Sequence, residues 1–327
     1  MTTTMEVMTI ETTNTAVVVG NNPFSKATFA DWIKFCDVKP ATQKTYDKAV
    51  CNFANFLASN NITVPTRDDV ISYRKWMTDE DNDGVNAVYK PSTARLYMTI
   101  IKKFFSWLSS KGLYLNVASG VKLPEPQDDE HSRDPLTLDE AKASISSFTG
   151  KTEKDLRDKC IMSLMIGCGL RSVEIVRLDV GDIEKRRGQW FLKVHGKKRS
   201  GKVDSVALSV ALKKILDEYL AVRPERKKSS PMFISTSRRN RGARLETQSV
   251  SRLAKKTFAN IGIESERITC HSCRHAHATL ALQAGVSLRE VSKNLRHRST
   301  QVTEIYLHDL DKFNNRSVAT VSNLIFS

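Results

Sequence analysis

No stretch of the chain approaches the roughly 20 consecutive apolar residues that cross a bilayer. The opening 20 residues, rich in Thr with a short Ala16-Val17-Val18-Val19 run, also lack the basic start and long apolar core of a secretory signal. No membrane partner is therefore expected, and a cytoplasmic location is. The six cysteines, at 36, 51, 160, 168, 270 and 273, show no paired spacing that would build a disulfide framework. Cys270-x-x-Cys273, with His271, His275 and His277 beside it, is half of a zinc pattern, but Cys160 and Cys168 are poorly spaced to supply the other half. Asp79, Asp81, Asp83 and Gly84 copy the first half of a calcium loop whose twelfth position is Lys90, where a bidentate glutamate is required. Neither metal is expected.

Acid is scarce as well. Against 51 Lys and Arg stand 36 Asp and Glu, a net charge of +15, and the deficit is local. Residues 1–130 hold 14 bases and 15 acids, and residues 131–327 hold 37 and 21. A positive field of that kind supplies sequence-independent affinity for phosphate backbones through counterion release. A polyanion is the expected partner of the C-terminal part. At 327 residues the chain is long enough for two domains, each with its own core.

What is present divides the chain in two. From Phe24 to about Val121 apolar residues recur at helical spacing in four sets: Phe29, Trp32, Ile33 and Cys36; Thr45, Ala49, Phe53, Phe56 and Leu57; Val70, Tyr73, Trp76 and Met77; Leu96, Ile100, Phe104, Phe105 and Leu108. Four helices in a compact bundle follow, with the aromatic residues in the core. Thr42 and Ser92 stand where N-caps belong, with Pro40 and Pro91 upstream to stop whatever precedes them. The acidic, proline-bearing segment from Leu123 to Glu130 reads as a linker. The expected organisation is a disordered tail over 1–23, a helical domain over 24–122, a linker over 123–135 and a second domain over 136–327.

That second domain reads as mostly helical with a small antiparallel sheet. Thr137 and Glu140 form a capping-box pattern. Residues 155–178 are helical with interruptions at Gly167 and Gly169, and helices are expected at 210–222, 247–261, 271–284, 287–296, 300–306 and 310–325. Gln189 to His195 alternates, and Val206 and Leu208 continue the alternation after a basic, glycine-bounded turn, which makes a β-hairpin.

Six residues of this domain can break and rejoin a phosphodiester without a metal. Two guanidiniums, Arg171 and Arg274, can clamp non-bridging phosphate oxygens bidentately. Tyr306 offers a phenolic nucleophile, and Lys197, His271 and His297 can manage the proton that a departing sugar oxygen needs. Glu174, one helical turn from Arg171, can orient that arginine before a phosphate arrives. Three-residue spacing puts His271 and Arg274 on one helix face, which leaves His275 and His277 for packing or capping. Lys44 and Arg95 in the first domain, and Lys198, Arg199 and Lys202 in the hairpin turn, are further candidates for phosphate contact.

The segments Gly169-Leu170-Arg171-Ser172-Val173-Glu174, His195-Gly196-Lys197-Lys198, His271-Ser272-Cys273-Arg274-His275-Ala276-His277-Ala278-Thr279, Leu295-Arg296-His297 and Glu304-Ile305-Tyr306 together resemble the tyrosine recombinase (phage integrase) family, in its Xer-like branch. Separations of 35 residues from His271 and nine from His297 to Tyr306 agree with that pattern. The chain departs from it at Arg296, where the family's usual Leu-Gly-His has glycine.

The resemblance covers about residues 24–327. It implies a helical, SAM-like core-binding domain followed by an α+β catalytic domain, clamped around DNA like a C. It further implies a site-specific recombinase that cleaves through a 3′-phosphotyrosine and needs no cofactor. Lys197, with Lys198 as the rival, would protonate the leaving 5′ oxygen. The partners implied are double-stranded DNA with paired core sites and three further copies of the chain in a homotetramer. The C-terminal helix, with Val318, Val321, Leu324 and Ile325, could dock on a neighbour or pack in cis. A type IB topoisomerase-like relaxing enzyme and a non-catalytic DNA-binding regulator are the alternatives. With some 23 residues before the first helix, there is no room for an added arm-binding domain, so simple core sites are expected. Integration of a mobile element, inversion and dimer resolution all remain open.

Overall fold

The computed structural model describes residues 23–79, 86–125, 134–196, 204–223, 227–265, 267–297, 299–301, 303–307 and 325. Residues 1–22 of the expected tail, the middle of the linker, residues 80–85 of the calcium-like loop, the hairpin turn from Lys197 to Val203 and nearly all of the expected helix 310–325 fall outside them. Two compact units divide between Glu130 and His131.

The first unit holds four helices: α1 (Lys26–Cys36), α2 (Pro40–Ser59), α3 (Arg67–Thr78) and α4 (Pro91–Ser110). Their caps are local. Ser25 accepts from the Thr28 amide at the start of α1, and Thr66 and Asp69 form a reciprocal box on α3. Thr42 and Ser92 are not N-caps. Helices α2 and α4 begin with Pro40 and Pro91 at their first position, capped by the backbone of Lys39 and Lys90. Proline fits there because its fixed φ is already helical and the first amide has no partner to lose.

The buried faces meet in an aromatic core. Trp32 stacks on Tyr46 with centroids 5.2 Å apart, and Phe53 meets Tyr73 edge-on at 4.9 Å. Phe104 and Phe105 are buried beside them. Two residues of the expected stripes stay outside: Leu96 and Trp76 are 46% and 40% exposed, and Met98 and Ile101 fill the α4 face instead.

The second unit is built around α6 (Glu153–Gly167), whose Cys160, Ile161, Met162, Leu164 and Met165 are buried. Around it lie α5 (Leu138–Ser146), started by the Thr137–Glu140 box, and α7 (Ser172–Arg177), α8 (Val210–Val222), α9 (Thr247–Asn260), α10 (Cys270–Gln283) and α11 (Leu288–Leu295). A three-stranded antiparallel sheet runs β1 (Ile183–Arg186), β2 (Gln189–Val194), β3 (Asp204–Leu208) in that order. The register pairs Trp190 with Leu208 and Val194 with Asp204. Leu192, Val194, Val206 and Leu208 are buried, as the alternation predicts. Strand β1 carries no alternation of its own, being Ile-Glu-Lys-Arg, and is recruited by pairing to β2. Residues 303–307 are helical.

Candidate active site

The interruption between α6 and α7 creates the site. Gly169 takes a left-handed φ of +64°, and a Cβ there would lie 2.6 Å from Leu295 Cδ2 and 3.0 Å from His277 Cδ2. Only glycine fits both constraints. The turn leaves the Gly169 carbonyl facing Arg274 and puts Arg171 at the N-cap of α7.

Glu174, fully buried on α7, organises that turn. Its Oε2 accepts the Arg171 amide at 2.9 Å, and its Oε1 accepts Arg171 Nη1 at 2.8 Å. The expected pairing of Arg171 with Glu174 is therefore present, and it fixes the backbone and the guanidinium together.

Arg274 enters from α10 and is 5% exposed. Nη1 donates to the Gly169 carbonyl at 2.7 Å and Nη2 to the Leu295 carbonyl. No carboxylate bonds it directly among the described residues. Burial, followed by the charges of Arg171 and Arg296, pulls its pKa down to about 9. A guanidinium has five donors, and two are spent on carbonyls, so the others are available to an anion. A nearly buried cation beside two more, with one shared carboxylate, is a site that favours an incoming negative charge.

His297 follows α11, with Nδ1 2.8 Å from Thr303 Oγ1. Burial, then Arg274, Arg171 and Arg296, push its pKa down to about 4, so its ring is neutral at pH 7. The Tyr306 ring stacks on it at 6.4 Å and an interplanar angle of 17°, and meets His275 edge-on at 5.2 Å. Tyr306 itself is 5% exposed. The structure thus brings Arg171, Glu174, Arg274, His297 and Tyr306 together.

His271 is exposed in the first turn of α10, its Nδ1 3.6 Å from Cys270 Sγ. It shares the helix with Arg274 but turns outward where Arg274 turns in. Lys197, Lys198, Arg199 and Lys202 lie outside the described residues. The base of their turn is held, since the Gly196 carbonyl accepts from Arg177 Nη1 at 3.3 Å. In the first unit Lys44 is exposed on α2. Arg95 donates to the Pro124 carbonyl at 2.8 Å, so part of its fork serves the segment that leaves α4.

His275, assigned to packing or capping, does pack, directly on Tyr306. Sequence reasoning missed two contributors, Asn294 and Arg296. Asn294 joins His277 Nε2 at 2.8 Å while His277 Nδ1 reaches the Ile166 carbonyl at 3.1 Å, tying α10, α11 and α6 together. Arg296 lies on Glu174, with Nη2 2.6 Å from Oε2 and Nε 3.3 Å from Oε1. Its signal was visible as an arginine standing where the resembling pattern has glycine.

Residues 136–312 match the model of the "Phage integrase family", and residues 27–114 match "Phage integrase, N-terminal SAM-like domain". Among curated relatives, the chain is 31% identical to the tyrosine recombinase XerA of Pyrococcus horikoshii over 67% of this chain and 70% of that one. It is 29% identical to the tyrosine recombinase XerC of Thermodesulfovibrio yellowstonii over 82% and 85%. Against the XerC of Caldanaerobacter subterraneus the identity is again 29%, over 73% of this chain and 64% of the relative. Among solved structures, the XerH site-specific recombinase bound to palindromic difH substrate in a post-cleavage complex matches with a TM-score of 0.70 and 18% identity, over 91% of this chain and 85% of that one. A lambda integrase dimer bound to a COC′ core site matches with a TM-score of 0.65 and 17% identity, over 84% and 94%. These likenesses carry the fold.

Proposed function

This chain belongs to the phage integrase family and is a tyrosine site-specific recombinase, and we propose that Tyr306 is its nucleophile and that Arg171 and Arg274 clamp the scissile phosphate. The relaxing-enzyme and non-catalytic alternatives fall away with that membership. One observation carries the residue assignment: Arg274 is held by the Gly169 and Leu295 carbonyls and Arg171 by Glu174, with Tyr306 stacked on His297.

In the proposed reaction the Tyr306 oxygen attacks phosphorus in line. A phosphotyrosine bond forms to the DNA 3′ end as the bond to the 5′ oxygen breaks. The phenolic proton passes to His271 as attack proceeds, and a proton from Lys197, with Lys198 as rival, goes to the departing 5′ oxygen. Arg171 and Arg274 hold the two non-bridging oxygens, already placed where charge grows, so little reorganisation accompanies the transition state. Neutral His297 can donate a hydrogen bond to the phosphate, and His271 serves proton transfer from the rim. Attack by a 5′ hydroxyl of a second duplex completes exchange and regenerates the phenol.

The protein acts on double-stranded DNA with paired core sites, as a cytoplasmic homotetramer whose C-terminal helix crosses to a neighbour or packs in cis. Several of the solved structures it resembles are bound to DNA, one of them a lambda integrase tetramer bound to a Holliday junction. Residues 24–122 form the core-binding domain, with Lys44 and Arg95 towards phosphates. Residues 136–327 form the catalytic domain, and Lys198, Arg199 and Lys202 add backbone contacts. A linker over 123–135 joins the two, and the tail over 1–23 stays outside both. Integration of a mobile element, inversion and dimer resolution use this same chemistry. Among the described residues no helix is long and apolar enough to cross a membrane.

The test is a suicide duplex nicked beside the cleavage point. Wild type should form a covalent complex and Tyr306→Phe none, and paired sites should yield recombinant product. Covalent complex from the Phe variant would refute the nucleophile.

A further inference from the structure

Arg296 ends α11 in the left-handed region, at φ +56° and ψ +42°. A side chain there carries a steric cost that glycine avoids. The position is nonetheless filled by an arginine whose side chain is 7% exposed and lies on a fully buried carboxylate. The two oxygens of Glu174 accept Arg296 through Nη2 at 2.6 Å and Nε at 3.3 Å, and accept Arg171 through Nη1 at 2.8 Å and its amide at 2.9 Å. One carboxylate serves two guanidiniums that arrive from different elements, 122 and three residues away.

We propose that Arg296 is a positioning residue that neutralises Glu174, so that Arg171 keeps its full charge for the scissile phosphate. The proposal rests on the reading of Arg171 and Arg274 as the phosphate clamp. With Arg171 as its sole partner, Glu174 would cancel that arginine in a site where water screens poorly, and the phosphate would compete with a carboxylate for the same fork. With Arg296 in place, three guanidiniums against one carboxylate leave the cluster at net +2. A phosphodiester in the act of being attacked approaches two negative charges, so the site matches the transition state better than the ground state. Burial pushes the Glu174 pKa up, but Arg296 and then Arg171 outweigh it and hold the carboxyl below its ordinary range.

The same residue also sets the next one. The Arg296 amide donates to the Lys293 carbonyl at 3.0 Å and the His297 amide to the Ser292 carbonyl at 3.1 Å, so the left-handed turn aims His297. A brace that acted through geometry alone and one that acts through charge are separated by the choice of substitution. Gln removes the charge and keeps a polar chain, Lys keeps the charge and loses the fork, and Gly suits the backbone and removes everything else.

The measurement is single-turnover cleavage of the nicked suicide duplex at saturating DNA, beside DNA affinity, at a temperature where circular dichroism shows every variant folded. Arg296→Gln and Arg296→Gly should each slow cleavage about tenfold or more, with affinity changed by less than about threefold, and Arg296→Lys should recover to within about threefold of wild type. Should Gly fail to fold, the contrast of Gln with Lys carries the test. Wild-type rates from Arg296→Gln, or a Lys variant as slow as Gln, overturn the proposal while wild-type cleavage still supports the clamp. A covalent complex formed by Tyr306→Phe strikes the underlying reading instead.

Discussion

The two units solve the burial of polar groups in opposite ways. In the N-terminal unit the interior is almost wholly aromatic and aliphatic, and its basic side chains stay at the edge. There Arg67, Arg95 and Lys102 donate to the carbonyls of Ser119, Pro124 and Val121 at 2.9, 2.8 and 2.6 Å, pinning the segment that leaves α4. The C-terminal unit buries charge instead. Arg157 and Asp158 pair inside at 2.6 Å, and Glu174, Arg274 and Arg296 are buried at the site. Buried ions add little net stability, because desolvation offsets their attraction. They are kept where a fixed field is useful, and here that field surrounds the candidate nucleophile. One unit is built to hold together and the other to hold charge in place.

This contrast can be broken by truncating either kind of interior. Phe105→Ala should destabilise the first unit by about 3–5 kcal/mol, read as an early separate melting transition, with the second unit's transition unmoved. A single shared shift would mean that the two units do not melt independently. Next in size, Arg274→Lys should lower single-turnover cleavage about 10²–10³-fold, or about 2.7–4 kcal/mol, because an ammonium cannot span two carbonyls and a phosphate. Near-wild-type cleavage would show that Arg274 is structural.

The pH dependence sharpens the same point. His297 has its pKa lowered from an ordinary 6.5 to about 4 in the folded protein, so between those values the unfolded chain binds more protons. The stabilising contribution is complete above about pH 6.5 and is lost as pH falls towards 4. Urea midpoints at pH 7 and pH 5 should therefore differ for the wild type and differ less for His297→Gln. An equal pH response in both would remove His297 as the source. The smallest effect belongs to the caps: Thr137→Ala should cost about 1 kcal/mol in the second unit, measured by urea unfolding, with the first unit unchanged.

Much of this was legible in the chain because the signals are local. The helical stripes, the Thr137–Glu140 box and the alternation across β2 and β3 depend on residues within a few positions of each other. The glycine interruption before Arg171 was legible too, although its reason, the crowding by Leu295 and His277, comes from far along the chain. What escaped is non-local or ambiguous in period. Proline reads equally as a stop and as a first helical residue, which misplaced the starts of α2 and α4. Strand β1 has no pattern of its own and exists through its partner. The ion pair of Arg296 with Glu174 spans 122 residues, and no spacing rule reaches that far.

The most direct measurement is peptide mapping by mass spectrometry of the covalent complex formed on the suicide duplex. A single modified peptide is expected, carrying a nucleotide 3′-phosphate on the oxygen of Tyr306. An adduct on any other residue would contradict that assignment.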